Sequence, residues 1–224
     1  MSIFKNTKRR KYQNSIKLIN ENNIAALRER MKVLFVDNDD IKELILDTMQ
    51  TRKYNVFYIK DITYAIEAEP FDFIIMDIKD IAKERGASMQ GLALALEIKE
   101  IYPHKIVCCY TGCSYNEIGS EIINSTLDAI LTKDTDVDEL CKKFDELIKK
   151  YSSKETHWNI LKERLIKYNV DERDICDIKN VYLKSFDNYE YSELQGMLHQ
   201  WIDDPQEIIG IITSIINIVK LLVV

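Results

Sequence analysis

The chain has 224 residues, 46% of them hydrophobic and 30% charged, with a formal net charge of −6. Gly (6) and Pro (3) are scarce, which disfavours a turn-rich β-sandwich and favours a helical or α/β protein with room for one ordinary domain and a smaller one. Five cysteines, three of them in "CCYTGC", are an odd number in an apolar setting, and no secretory signal precedes them. They argue against a disulfide scaffold and for a reducing cytoplasm.

Charge is unevenly distributed. Residues 1–31 carry eight Lys/Arg against two Glu, residues 32–150 carry 15 basic and 23 acidic residues, and residues 151–224 carry 8 and 12. The pattern predicts a basic helical N-terminal arm (1–31) on an acidic body. The arm "KNTKRRKY" is either a solvated tail or a contact for nucleic acid or an acidic partner.

Apolar runs then alternate with helical patterns. "KVLFV" (32–36) precedes a helix with Ile41, Leu44, Ile45 and Met49 on one face, and "YNVFYI" (54–59) leads into "DITYAIEAE". "FDFIIM" (71–76), a polar loop and the helical "GLALALEIKEI" (91–101) follow. "KIVCCY" (105–110) precedes "NEIGSEIINS", and "DAILT" (128–132) precedes a helix showing Val137, Leu140, Cys141, Phe144 and Ile148. Strands that are apolar without alternation belong to a parallel sheet covered on both faces. The expected fold over 32–150 is α/β, a doubly wound five-stranded parallel sheet whose ligands sit at the carboxyl ends of the strands.

From Tyr151 onward the strand signals stop. Trp158, Leu161, Leu165 and Tyr168 make one helical stripe, Ile178, Val181, Tyr182 and Phe186 a second, and Leu194, Met197, Leu198 and Trp201 a third. A small all-helical domain over 151–224 is expected. Its last segment, "IIGIITSIINIVKLLVV", has a narrow polar stripe and is short for a bilayer span of about 20 apolar residues. It reads as bundle core, or as a surface for a homo-oligomer or protein partner. The acidic balance of 151–224 and its lack of a basic recognition helix argue against DNA binding there.

The strand ends carry the chemistry. "DNDD" (37–40) follows the first strand, Asp77 the third, Thr111 the fourth and Lys133 the fifth, all at one edge of a parallel sheet. Clustered carboxylates repel one another unless a cation sits between them, and an all-oxygen pocket suits Mg²⁺. A lysine and a hydroxyl beside that cation are the donors that hold a transferred phosphoryl group, with Asp77 as in-line nucleophile.

Here the sequence resembles the receiver (CheY-like) domain of two-component response regulators, over about 32–150. "VLFVDNDDI" resembles the acidic turn after strand one, "FDFIIMDI" the phospho-acceptor segment and "MQGLALALEIKEIYP" the helix that follows. "YTG" supplies the hydroxyl and "DAILTKD" the lysine, and the 22 residues between Thr111 and Lys133 match a common receiver spacing. The resemblance implies Asp77 as phospho-acceptor, Asp37 with Asp77 as Mg²⁺ ligands, and Thr111 and Lys133 as phosphoryl-binding groups. It also implies a histidine kinase or phosphotransfer protein as donor, and a phospho-acceptor rather than a turnover enzyme.

Some positions depart from that pattern. Receivers usually place two adjacent acids after strand one. This chain offers Val36–Asp37, or Asp37–Asn38 if shifted by one, so one carboxylate is missing unless Asp39 or Asp40 bends in to replace it, with Asn38 a further candidate ligand. Asp134 follows the lysine where proline is general, and Ile130 stands where an aromatic switch is usual. These departures leave two further readings. One is a pseudo-receiver acting as a phosphorylation-independent protein-interaction module. The other is similarity of "VLFVDNDDI" to haloacid-dehalogenase-like phosphatases, with Asp37 as nucleophile and Asp39 as general acid. Cys108 and Cys109 fall in one buried strand on opposite faces, where they are expected to be core thiols.

Overall fold

In the computed structural model the described residues are 21–39, 43–79, 81–82, 90–112, 126–188, 190–204, 207–210, 212–213 and 216. The expectations for the basic segment 1–20, for Asp40, for the helix in 113–125 and for the end of the C-terminal apolar helix lie outside them.

Helix α1 (Glu21–Arg30) leads into β1 (Lys32–Val36), α2 (Glu43–Thr51) and β2 (Asn55–Ile59). A single 3₁₀ turn (Ala65–Ala68) precedes β3 (Phe73–Asp77). Then come α3 (Gln90–Ile101), β4 (Ile106–Thr111), β5 (Ala129–Thr132) and α4 (Val137–Tyr151). All strand pairs are parallel and the order is β2-β1-β3-β4-β5, the doubly wound arrangement. The stretch "DITYAIEAE" closes as one 3₁₀ turn because Pro70, which has no N–H and whose ring clashes with the preceding turn, follows directly.

Each strand splits its side chains between two cores, as the pleat requires. Val33, Phe35, Phe73, Ile75, Ile106 and Cys108 face one side, where α1, α2 and α4 contribute Leu27, Met49 and Phe144. Leu34, Val36, Ile74, Met76, Val107 and Cys109 face the other, under Leu94, Ala95 and Ile98 of α3. Cys108 and Cys109 are therefore buried thiols in separate cores, and burial pushes both thiols up from their ordinary pKa, Cys109 to about 12. Leu44 departs from the expected α2 face. It is 64% exposed, because Ile45 and Met49, one turn apart, are the pair aimed at the sheet and Leu44 lies about 100° around from Ile45.

Helix α1 is part of this packing. Ile24, Leu27 and Met31 are buried, and Arg28 reaches Asp145 of α4 through Nε (2.8 Å to Oδ1) and Nη2 (2.5 Å to Oδ2). At the N-terminal edge of the sheet, Lys99 of α3 donates to Asp128 Oδ2 (2.7 Å) and to Tyr151 Oη (2.7 Å), tying α3, β5 and α4 together.

Further helices follow. Asp136 caps α4, accepting from the backbone N–H of Asp138 and Glu139, and Ser153 caps α5 (Lys154–Lys167). Asn169, at φ 58°, ends α5 in the left-handed conformation, with Val170 N–H donating to Leu165 O and Asn169 N–H to Ile166 O. The chain then reverses into α6 (Glu172–Asn188) and α7 (Ser192–Leu198). Trp158, Leu161, Leu165, Ile178, Tyr182, Leu194 and Leu198 form a third core, which Ile208 joins from the helical residues 207–210. Among the described residues no helix is long and apolar enough to cross a membrane.

Candidate functional site

The carboxyl ends of β1, β3, β4 and β5 converge on one acidic pocket. Asp37 directly follows β1, and its backbone N–H donates to Ile59 O at the end of β2 (3.3 Å). Asp77 is the last residue of β3, in register with Tyr110, and Thr111 ends β4 opposite Thr132. Lys133 lies one residue past β5, its N–H donating to Thr111 O (2.9 Å). Asp37, Asp77 and Thr111 are all buried, so four segments distant in sequence present their polar groups at one edge.

Lys133 organises the pocket. Its Nζ lies 2.8 Å from Asp77 Oδ2, 2.9 Å from Asp37 Oδ2 and 3.4 Å from Asp39 Oδ2. Burial works against the ammonium, but the hydrogen bonds and charges of Asp77 and Asp37 outweigh it, so Lys133 is pushed above its ordinary pKa and stays charged. Asp37 goes the other way from a typical paired acid. Loss of water around it raises its pKa, and Lys133 offsets only part of that rise.

Asp39 is the residue whose placement the sequence left open. It is exposed, yet the turn after β1 brings it in, with its own N–H donating to Asp37 Oδ1 (3.0 Å). One carboxylate oxygen each from Asp37, Asp39 and Asp77 lie within 4.8 Å of one another. Asn38 is half-buried, and Asp40 lies outside the described residues.

These carboxylates fit a divalent cation on two counts. Their donors are all oxygen, which suits Mg²⁺ rather than a softer metal. Three carboxylates beside one ammonium also leave two negative charges unbalanced, the charge of one such ion.

Helix α3 packs against Asp77 from behind. A Cβ on Gly91 would stand 2.1 Å from the carbonyl oxygen of Asp77 and 3.0 Å from Ile78 Cα, so only glycine allows the helix to lie against this strand end. The sequence offered Gly91 only as the start of an apolar helix, and nothing local marked the contact. Tyr58 on β2 is another residue that motif spacing does not reveal. Its hydroxyl is 2.9 Å from Asp37 O and 2.8 Å from Asp39 O.

No family model and no curated protein matches the chain. Several solved structures do. The receiver domain of NtrX from Brucella abortus is 22% identical, over 52% of this chain and 98% of that one, with a TM-score of 0.44. A longer structure of NtrX from Brucella abortus with ATP is 21% identical over 55% of this chain, with a TM-score of 0.45; the chain spans only 28% of its length. A CheY-like response regulator receiver domain protein from Methanospirillum hungatei is 21% identical, over 54% of this chain and 95% of that one, with a TM-score of 0.41.

Proposed function

We propose that the chain is a signalling receiver that accepts a phosphoryl group on Asp77 from a histidine kinase or phosphotransfer protein, with Mg²⁺ in the acidic pocket. The observation that carries this reading is the position of Lys133 Nζ, within 3 Å of both Asp77 and Asp37 at the carboxyl edge of a parallel sheet. A nucleophilic carboxylate, a charged donor and an oxygen-lined cation site are the parts that phosphoryl transfer requires.

In this reading Asp77 Oδ attacks phosphorus in line, and an O–P bond forms as the donor's bond to phosphorus breaks. The donor leaves with that electron pair and a proton from solvent. Asp37, Asp39 and Asp77 would hold the Mg²⁺, which would supply charge neutralisation for the phosphoryl oxygens. Lys133 keeps its contact with the Asp77 side and pairs with the transferred group, and the Thr111 hydroxyl takes a further phosphoryl oxygen. Because Lys133 N–H is bonded to Thr111 O, a shift at one residue moves both β4 and β5. The helices after residue 151, or a protein partner, read that shift.

Incubating the protein with acetyl phosphate and Mg²⁺ and measuring its intact mass tests the reading. It predicts one phosphoryl group added, and none in Asp77→Asn or without metal. An absent adduct together with absent Mg²⁺ binding favours the pseudo-receiver, in which Lys133 serves only to neutralise the carboxylates. An adduct lost in Asp37→Asn but kept in Asp77→Asn favours the phosphatase reading.

A further inference from the structure

We infer that Tyr58 is the positioning residue that folds Asp39 into the metal site, so that the pair Asp37/Asp39 does the work of two adjacent acids. The inference rests on the receiver reading above. Its basis is a contact across the sheet edge. Tyr58 stands on β2 opposite Phe35 of β1, two residues before Asp37, and its ring packs against the buried core. From there its single hydroxyl proton faces two carbonyl oxygens, Asp37 O at 2.9 Å and Asp39 O at 2.8 Å.

Carbonyls of residues i and i+2 that converge on one donor close the backbone between them into a tight turn. The Asp39 N–H donating to Asp37 Oδ1 (3.0 Å) closes the same turn from its other side. The consequence is that the side chains of Asp37 and Asp39, separated by Asn38, both reach Lys133 Nζ, at 2.9 and 3.4 Å. In an extended strand residues i and i+2 also share a face, but their spacing along the strand is about 7 Å, whereas these carboxylate oxygens lie within 4.8 Å of one another. Asp39 is an exposed residue at the mouth of the pocket, so packing does not hold it there. The hydroxyl of Tyr58 is what ties its backbone to the sheet.

The test is Mg²⁺ affinity by isothermal titration calorimetry on the full chain, comparing wild type, Tyr58→Phe, Asp39→Asn and the double variant. Phenylalanine keeps the ring in the core, and metal-free thermal melts check that each variant is folded. Removing a group that orients a ligand weakens metal binding about tenfold. The expected result is therefore about a tenfold loss in Tyr58→Phe, a loss at least as large in Asp39→Asn, and no further loss when the two are combined. A residue that merely stabilised the loop would lower the melting temperature and leave the affinity of the folded protein unchanged. Wild-type affinity in either single variant, or losses that multiply in the double variant, overturns the inference while the receiver reading stands. Failure of the wild type itself to bind Mg²⁺ overturns that reading, and the inference with it.

Discussion

Lys133 Nζ and Asp77 Oδ2 lie 2.8 Å apart although 56 residues separate them in the chain. This lysine holds three carboxylates together, those of Asp77, Asp37 and Asp39. Replacing it with methionine leaves Asp37 and Asp77 buried and unpaired. We expect Lys133→Met to lower stability by about 2–4 kcal/mol without divalent cations, since stranding a buried charge is the costly half of breaking such a pair. Mg²⁺ should restore most of the loss and bind more tightly than in wild type, because no ammonium competes with it. Thermal melts with and without Mg²⁺ check both parts. A melting temperature unchanged by the substitution would show that the carboxylates do not depend on Lys133.

Gly91→Ala puts a methyl group 2.1 Å from the Asp77 carbonyl oxygen, and backbone cannot yield as a flexible side chain can. Helix α3 or the end of β3 must move. We expect a loss of about 1–3 kcal/mol, the usual cost of overpacking a tight site. The yield of phosphorylated Asp77 should fall too, because the acceptor's backbone moves with the strand. A variant with wild-type urea midpoint and wild-type phosphorylation would contradict the contact.

The fold was legible because its signals are local. Apolar runs without alternation, such as "FIIM" and "IVCCY", mark a parallel sheet, and parallel strands put Asp37, Asp77, Thr111 and Lys133 at one edge. What the sequence hid is non-local. The place of Asp39 depends on a turn closed by a hydroxyl from β2, and the need for Gly91 depends on how near α3 lies to Asp77. The reading of 1–31 as a basic helical arm did not anticipate that α1 packs into the core, because composition counts Arg28 as one more surface cation, whereas its partner Asp145 lies 117 residues away. Leu44 was assigned to the buried face by its apolarity, though the described α2 residues that pack against the sheet are Ile45 and Met49, with Leu46 half-buried beside them.

The Arg28–Asp145 pair gives a test of that docking. Both side chains are 16% exposed, and Tyr54 Oη also donates to Asp145 Oδ1 (2.6 Å). Arg28→Ala leaves Asp145 with the tyrosine alone. We expect a loss of about 2–4 kcal/mol, at the lower end of that range if water reaches the carboxylate. Faster hydrogen exchange in α1 than in β1 should accompany it. Unaltered exchange in α1 would mean that Ile24 and Leu27 hold the helix without the ion pair.

His157 sets an expectation for pH. Its Nε2 lies 2.7 Å from Tyr151 O; a carbonyl only accepts, so Nε2 carries the proton. Burial lowers its pKa to about 4. The unfolded chain binds a proton at this residue below about pH 6.5 while the folded chain does not, so stability present above pH 6.5 is lost as pH falls towards 4. The loss by pH 5 is about 2 kcal/mol. His157→Gln should flatten the fall in urea-derived stability between pH 6.5 and 5, and an equally steep fall in that variant would assign it to other groups.

Reductive trapping identifies which residue carries the phosphoryl group. The protein is treated with acetyl phosphate and Mg²⁺, quenched with borohydride, and mapped by peptide mass spectrometry. Hydride reduces an aspartyl phosphate to homoserine and releases phosphate, so the modified residue is marked permanently. With Asp77 as the acceptor, homoserine is expected at position 77 and aspartate at 37 and 39. Homoserine at position 37 instead, or at none of the three, would contradict that assignment.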